Sequence, residues 1–300
     1  MIKSATGKGF VNAILAYFIW GLLPLYWKLL IAVNSIHILA FRIIFSLALV
    51  SVILLAQKNL AWLAVFKDRK KRWLLILIAF LLSSNWGLYI WAVNSGHTLA
   101  TSLGYYINPM VTISLGLLFF RERLRPLQWA AVALALAGVA LLTFLSGSLP
   151  WISLAIALTF GFYSMLKKKV SLPALESLGS ETLASFPIGM MLLCISFNDP
   201  NPSLIGFKSI SYLSALPAGT WALLVLAGLA TMLPLYFFAQ ATKLLPLSAI
   251  GFCQFVSPTM TFILGVFVFG ETFPPYQLWV FLMIWAAVIL YIISLRQHKH

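Results

Sequence analysis

Three hundred residues with 62% apolar and only 9% charged side chains, at a mean hydropathy of +1.00, exclude a soluble domain of this length. The net charge of +14 does not mark a nucleic-acid binder, because the basic residues punctuate apolar runs instead of forming one polar face. Two cysteines, Cys194 and Cys253, both inside apolar runs, argue against a disulfide framework and against a thiolate metal site.

Crossing a bilayer as helix takes roughly 20 apolar residues, since every backbone polar group must be satisfied internally. That ruler predicts ten spans, near 10–30, 36–56, 73–93, 98–120, 127–145, 149–166, 178–197, 219–241, 246–269 and 276–294. The fold class expected is an all-α integral membrane protein. Span 1 follows Lys3 and Lys8, is too long for a signal-peptide core and carries Trp20 and Gly21. Span 2 holds Arg42; span 3 holds Asn85, Trp86, Tyr89 and Trp91; span 4 holds Tyr105, Tyr106, Asn108 and Pro109. Span 5 pairs Ala131 with Ala135, and Ala133 with Ala137, at the four-residue spacing that lets helices approach closely. The short span 6 stops at Lys167, Lys168 and Lys169, span 7 contains Glu181, and span 8 contains Tyr236 and Gln240. Gln254, Ser257 and Pro258 lie in span 9. Trp62, Trp73, Trp129 and Trp151 fall near span ends, where an interfacial aromatic belt is expected.

Loop charges predict the orientation. Numbered from a cytoplasmic N-terminus, the inside segments collect every Lys and Arg except Lys28, Arg42 and Lys208, so both termini are expected in the cytoplasm of a multi-pass protein of the inner or plasma membrane.

Residues 100–128 and 249–277 are two versions of one segment, aligned without a gap. Pro109 falls on Pro258, Gly116 on Gly265, Phe120 on Phe269, Glu122 on Glu271, Pro126 on Pro275 and Gln128 on Gln277, all 149 residues apart. Trp20-Gly21 with Phe160-Gly161, and Lys28 with Lys168, repeat more weakly at an offset of 140. With five spans per half, span 4 and its copy, span 9, cross the membrane in opposite senses. The halves expected are residues 1–146 and 147–300, an inverted duplication of the kind that builds secondary transporters around a central site. Glu122 and Glu271 then fall at opposite faces, as loop anchors instead of one shared site.

Proline within a span removes a helical hydrogen bond, so Pro109 and Pro258 are expected to break spans 4 and 9. Such breaks line a wet cavity or are ordinary kinks closed by neighbouring side chains. Arg42 and Glu181 are charges within spans, at matching places in the two halves. They form an ion pair, a solute contact or a proton-linked gate, or else snorkel to the interface. Asn85 with Tyr89, and Tyr236 with Gln240, share helix faces suited to an amphipathic solute.

These strings resemble a known family. AYFIWGLLPLYWK (16–28), NWGLYIWAVNSGHTLATSLGYYINPMV (85–111), the ERL at 122–124, GFCQFVSPTMTF (251–262) and Gly270-Glu271 make the chain similar to the drug/metabolite transporter superfamily, EamA-type, and most to its RarD-like proteins. The resemblance implies ten spans in two inverted five-helix halves and transport of small metabolites or drugs. It also implies a cavity lined by spans 1, 3, 4, 6, 8 and 9, with spans 5 and 10 peripheral.

The function expected is therefore secondary transport of a small solute by alternating access, in the direction of export, without nucleotide, metal or other cofactor; no Walker-type GxxxxGK[ST] segment occurs. Trp20, Arg42, Asn85, Tyr89, Tyr105, Asn108, Glu181, Tyr236, Gln254 and Ser257 are the expected cavity residues. Glu181 is the proton carrier if transport is proton-coupled. Beyond the solute, membrane lipid is the expected partner. A lipid flippase or non-catalytic scaffold is the alternative; an enzyme is disfavoured because His37, His97, His298 and His300 show no HExxH spacing.

Overall fold

A computed structural model of the chain describes residues 2–94, 98–145, 151–198, 210–270 and 275–296, and among these no β-strand occurs. The apolar runs fold as α1 (Ile2–Leu29), α2 (Ser35–Ala56), a short α3 (Ala61–Ala64), α4 (Arg69–Asn94), α5 (Thr98–Phe120) and α6 (Pro126–Leu145). They continue as α7 (Trp151–Lys169), α8 (Ala174–Asn198), α9 (Ala218–Leu244), α10 (Leu247–Gln254), α11 (Val256–Ile263) and α12 (Pro275–Arg296), with a π-helical stretch at Leu264–Val268. Among the described residues eight helical segments are long and apolar enough to cross a membrane, counting α10 through the π stretch as one. Gly104–Phe120 is a shorter apolar helix, and α7 runs 19 residues through its terminal lysines. The chain is an all-α, multi-pass integral membrane protein.

Local chemistry sets several ends. Asn34 caps α2, its side chain accepting from the Ile36 amide at 3.0 Å. Pro246 opens α10 with no side-chain cap of its own, and the Glu122 carboxylate supplies one instead, accepting from Leu247 N at 2.6 Å and Ser248 N at 2.9 Å. That carboxylate reaches α10 because Arg121 adopts a left-handed φ of 51° just after α5. Gly270, the residue 149 positions later, does the same after the π stretch with φ 67°. Glu271 itself, with Lys208 and His97, lies outside the described residues.

Packing runs crosswise. α1 lies on α9 and α11, while α7 lies on α4 and α5; α2 meets both α8 and α9, and α8 also meets α4. α5 packs on α10 and α6 on α12. On α6, Ala131, Ala135 and Gly138 are the residues buried toward α12, whereas Ala133 and Ala137 face outward, so only one of the two small-residue stripes serves packing. Trp73, Trp129 and Trp151 are exposed as a belt requires, but Trp62 is buried, its carbonyl accepting from Ser180 Oγ on α8 at 2.8 Å. Cys253 is buried and Cys194 is exposed on α8.

Candidate functional site

The middle of the bundle is aromatic. Trp20 on α1 meets Tyr17 at 5.4 Å between ring centroids, Phe160 on α7 at 5.7 Å and Phe238 on α9 at 5.6 Å, and Tyr163 stacks on Phe238 at 5.7 Å. Glycine beside each end of this cluster admits a neighbouring helix. A Cβ on Gly21 would stand 2.5 Å from Met260 Cβ on α11, and one on Gly161 would stand 2.6 Å from Val111 Cγ1 on α5. Gly21 and Gly161 are repeat partners, and so are Met260 and Val111. Lysine ammonium groups repeat the relation nearer the ends: Lys28 lies 4.2 Å over the Phe269 ring and Lys168 5.6 Å over the Phe120 ring.

Charge enters on α2, α7 and α8. Arg42 is buried, its guanidinium 3.9 Å over Trp86 and 5.1 Å from Trp27, with Nε donating to Thr231 Oγ1 at 2.9 Å. Arg42 and Glu181 do not pair: Glu181 forms its salt bridge with Lys167, and both side chains are 2% exposed. Glu181 Oε1 and the neighbouring Tyr163 hydroxyl are buried without well-formed hydrogen bonds. Lys167 is thus an interior charge and not a loop residue, because α7 continues one turn past the expected end. Its burial was legible in principle: Ile156, Phe160, Tyr163 and Lys167 follow one another at helical spacing on one face. Thr231 and Trp27 carried no such signal, since their role depends on which helices meet.

A cavity of about 10 Å³, room for roughly one water, lies among these groups. Ser46 on α2, Trp86 on α4, Glu181, Thr182 and Ser185 on α8 and Thr231 on α9 line it. Its walls therefore include α2 and α8, spans 2 and 7, which the lining implied by the family resemblance leaves out although Glu181 is among the expected cavity residues. The reason is the direct contact of α2 with α8, the two elements that bring charge inward. Burying a charged side chain at bilayer depth costs at least about 2.5–3.5 kcal/mol. The desolvated stack on Trp86 returns about 2 kcal/mol and the charge-assisted bond to Thr231 about 1.5–3 kcal/mol, so Arg42 is held inside without a carboxylate partner.

The remaining expected residues divide. Asn85 donates to Ile156 O at 2.8 Å and to Thr159 Oγ1 at 2.9 Å, which ties α4 to α7. Tyr89 and Tyr105 form an edge contact at 5.8 Å, and Gln240 donates to the Tyr236 hydroxyl at 3.1 Å. Asn108 Oδ1 and Gln254 Oε1 are buried acceptors without partners, and the Ser257 carbonyl lies 3.0 Å from the Gly21 Cβ position. The expectation of a break at Pro109 is corrected, for α5 runs through it unbroken. Near Pro258 the helix is interrupted instead, α10 ending at Gln254 and α11 starting at Val256. Gln254 carries the carbonyl against which the Pro258 ring would press in a regular helix.

The EamA-like transporter family profile matches the chain twice, over residues 7–144 and 149–293. An uncharacterized transporter of Bacillus subtilis (strain 168), YojE, is 40% identical over 298 residues, covering 98% of this chain and 96% of its own. Protein RarD of Streptomyces exfoliatus is 40% identical over 278 residues, covering 92% and 85%. A solved crystal structure, 18% identical, shares the fold at a TM-score of 0.70 over 99% of both chains. The chain belongs to the EamA-like transporter family, as a RarD-like membrane transporter of the drug/metabolite transporter superfamily.

Proposed function

We propose that the protein is a secondary carrier that exports a small organic solute across the cell membrane by alternating access of two inverted five-span repeats, residues 1–146 and 147–300, with both termini cytoplasmic. The observation that carries the reading is the crosswise packing of repeat partners. Gly21 meets Met260 where Gly161 meets Val111, and Lys28 meets Phe269 where Lys168 meets Phe120. The first span of each half therefore rests on the fourth span of the other, an arrangement that lets one half rock against its partner around a shared centre. Two separate family matches, each about one half in length, support the same division.

Arg42, Trp86 and Thr231 form the solute-facing cluster of this proposal, with the unpartnered acceptors of Asn108 and Gln254 as further contacts. Proton coupling is assigned to Glu181, whose unpartnered Oε1 borders a space the size of a water. No chemistry on the solute is proposed, and the protein acts as a carrier and not an enzyme. An efflux and uptake screen in cells with and without the protein, repeated with a proton uncoupler, tests the proposal. Solute-specific efflux that collapses with the uncoupler is the expected result. Equal movement of every solute in both cell types would remove the carrier reading, and efflux indifferent to the uncoupler would remove Glu181 from its role.

A further inference from the structure

Among the described residues three formally charged side chains are buried: Arg42, Lys167 and Glu181. Lys167 and Glu181 neutralise one another, so the interior is left with one net positive charge, and it resides on Arg42. No carboxylate among the described residues lies against that guanidinium, and of its five N–H donors one is engaged, by Thr231. Of the three groups that hold it, Trp86 and Thr231 line the cavity and Trp27 does not, so the guanidinium lies directly behind the cavity wall. The hydroxyls of Ser46, Thr182 and Ser185 already donate to helix carbonyls of Gly228, Leu178 and Glu181 and so do not compete with it.

We propose that Arg42 is the anchor for the anionic group of the transported solute, a carboxylate, sulfonate or phosphate carried on a small aromatic or apolar body. The guanidinium fork offers paired N–H donors to two oxygens of such a group, and a planar body lies against the apolar side chains of the cavity wall. Neutral solutes leave the buried charge uncompensated, and cationic solutes meet it directly. At about 10 Å³ the cavity is too small for such a solute, so the anion enters when the halves open. Aromatic and aliphatic walls from Trp86, Ile43, Leu82 and Leu235 account for the body of the solute, and Arg42 for its charge. The assignment rests on the carrier reading above and narrows it to one class of cargo.

The test uses the full chain purified in detergent and then in liposomes, with four probes of similar size: benzenesulfonate, phenyl phosphate, benzamide and benzyltrimethylammonium. Calorimetric binding and proteoliposome flux are both recorded. The two anions are expected to bind at least about tenfold more tightly than benzamide, as a charge-assisted pair of hydrogen bonds implies. A difference between sulfonate and phosphate then identifies which anionic group the site prefers. Arg42→Gln is expected to abolish the preference, and Arg42→Lys to retain part of it. Thr231→Val removes the Nε partner but keeps the charge; it is expected to weaken anion binding while preserving the order of the probes, and it stands in if Arg42→Gln does not fold. Anions bound no better than benzamide, or an anion preference that survives Arg42→Gln, would overturn the assignment and leave the carrier intact. Failure of every probe in both binding and flux would overturn the carrier reading and this assignment with it.

Discussion

Trp27 and Arg42 in the first half occupy the places that Lys167 and Glu181 occupy in the second, at offsets of 140 and 139 residues. The first pair is a cation on a ring, 5.1 Å apart, and the second an ion pair. A comparable inequality separates the matched helices: α5 passes Pro109 without interruption, whereas the boundary between α10 and α11 falls about a turn before Pro258 and a π-helical stretch follows. Equivalent positions thus keep their packing partners while their chemistry and backbone diverge. In the proposed inverted arrangement, two halves with identical conformations would treat both membrane faces alike, and a carrier closed toward one side needs such inequality. The broken helix and the uncompensated cation fall in different halves, so the two kinds of asymmetry meet only where the halves pack.

The largest effects are expected at the charges. Lys167→Met or Glu181→Gln strands a buried charge and should lower stability by about 3–5 kcal/mol, with neutralisation of both together recovering most of it. Arg42→Met abandons no ion partner and should lose less, since the loss of about 2 kcal/mol of ring contact and of the Thr231 hydrogen bond is offset by removing a buried charge. Denaturant unfolding in detergent measures both, and equal losses would erase the distinction between the halves. Next come the prolines. Pro258→Ala returns an N–H to the Gln254 carbonyl and lifts a helix-interior penalty of about 3 kcal/mol. Amide exchange from Phe255 to Thr259 should slow and solute flux should fall, while Pro109→Ala leaves the exchange pattern of α5 unchanged. Matching responses in the two variants would show that proline is not the source of the break. The smallest effect is expected at Arg121, which adopts a left-handed φ of 51° where its repeat partner is Gly270. Replacement by glycine should raise the unfolding midpoint by the equivalent of about 0.5–1 kcal/mol, and a loss there would mean that the Arg121 side chain, not its backbone, matters.

Much of the architecture was legible in the residues. Apolar runs of membrane length located most of the long helices to within a few residues, because a bilayer leaves the backbone few choices; α1 starts eight residues before the expected 10, and the expected span 246–269 is divided. Repeat partners found at fixed offsets turned out to touch one another's counterparts, as Gly21 and Gly161 do. The candidate site was less fully legible. Arg42 and Glu181 stood out as charges among apolar residues, yet the ion partner of Glu181 was hidden at the end of a lysine run that reads as a loop. Asn85 read as a solute contact, and its amide ties α4 to α7, a role that its spacing from Tyr89 does not reveal.

Composition, span length and the duplicated segment by themselves determined a multi-pass helical protein with repeated helices, for each rests on solvation of the backbone or on local spacing. Tertiary structure alone decided that Lys167 faces Glu181, that Arg42 rests on Trp86 and Thr231, and that Glu122 caps α10 across the bundle. Those outcomes depend on which helices meet and at what height. Contacts between residues distant along the chain leave no period in it, so only the packed bundle reveals where its buried charge is left unbalanced.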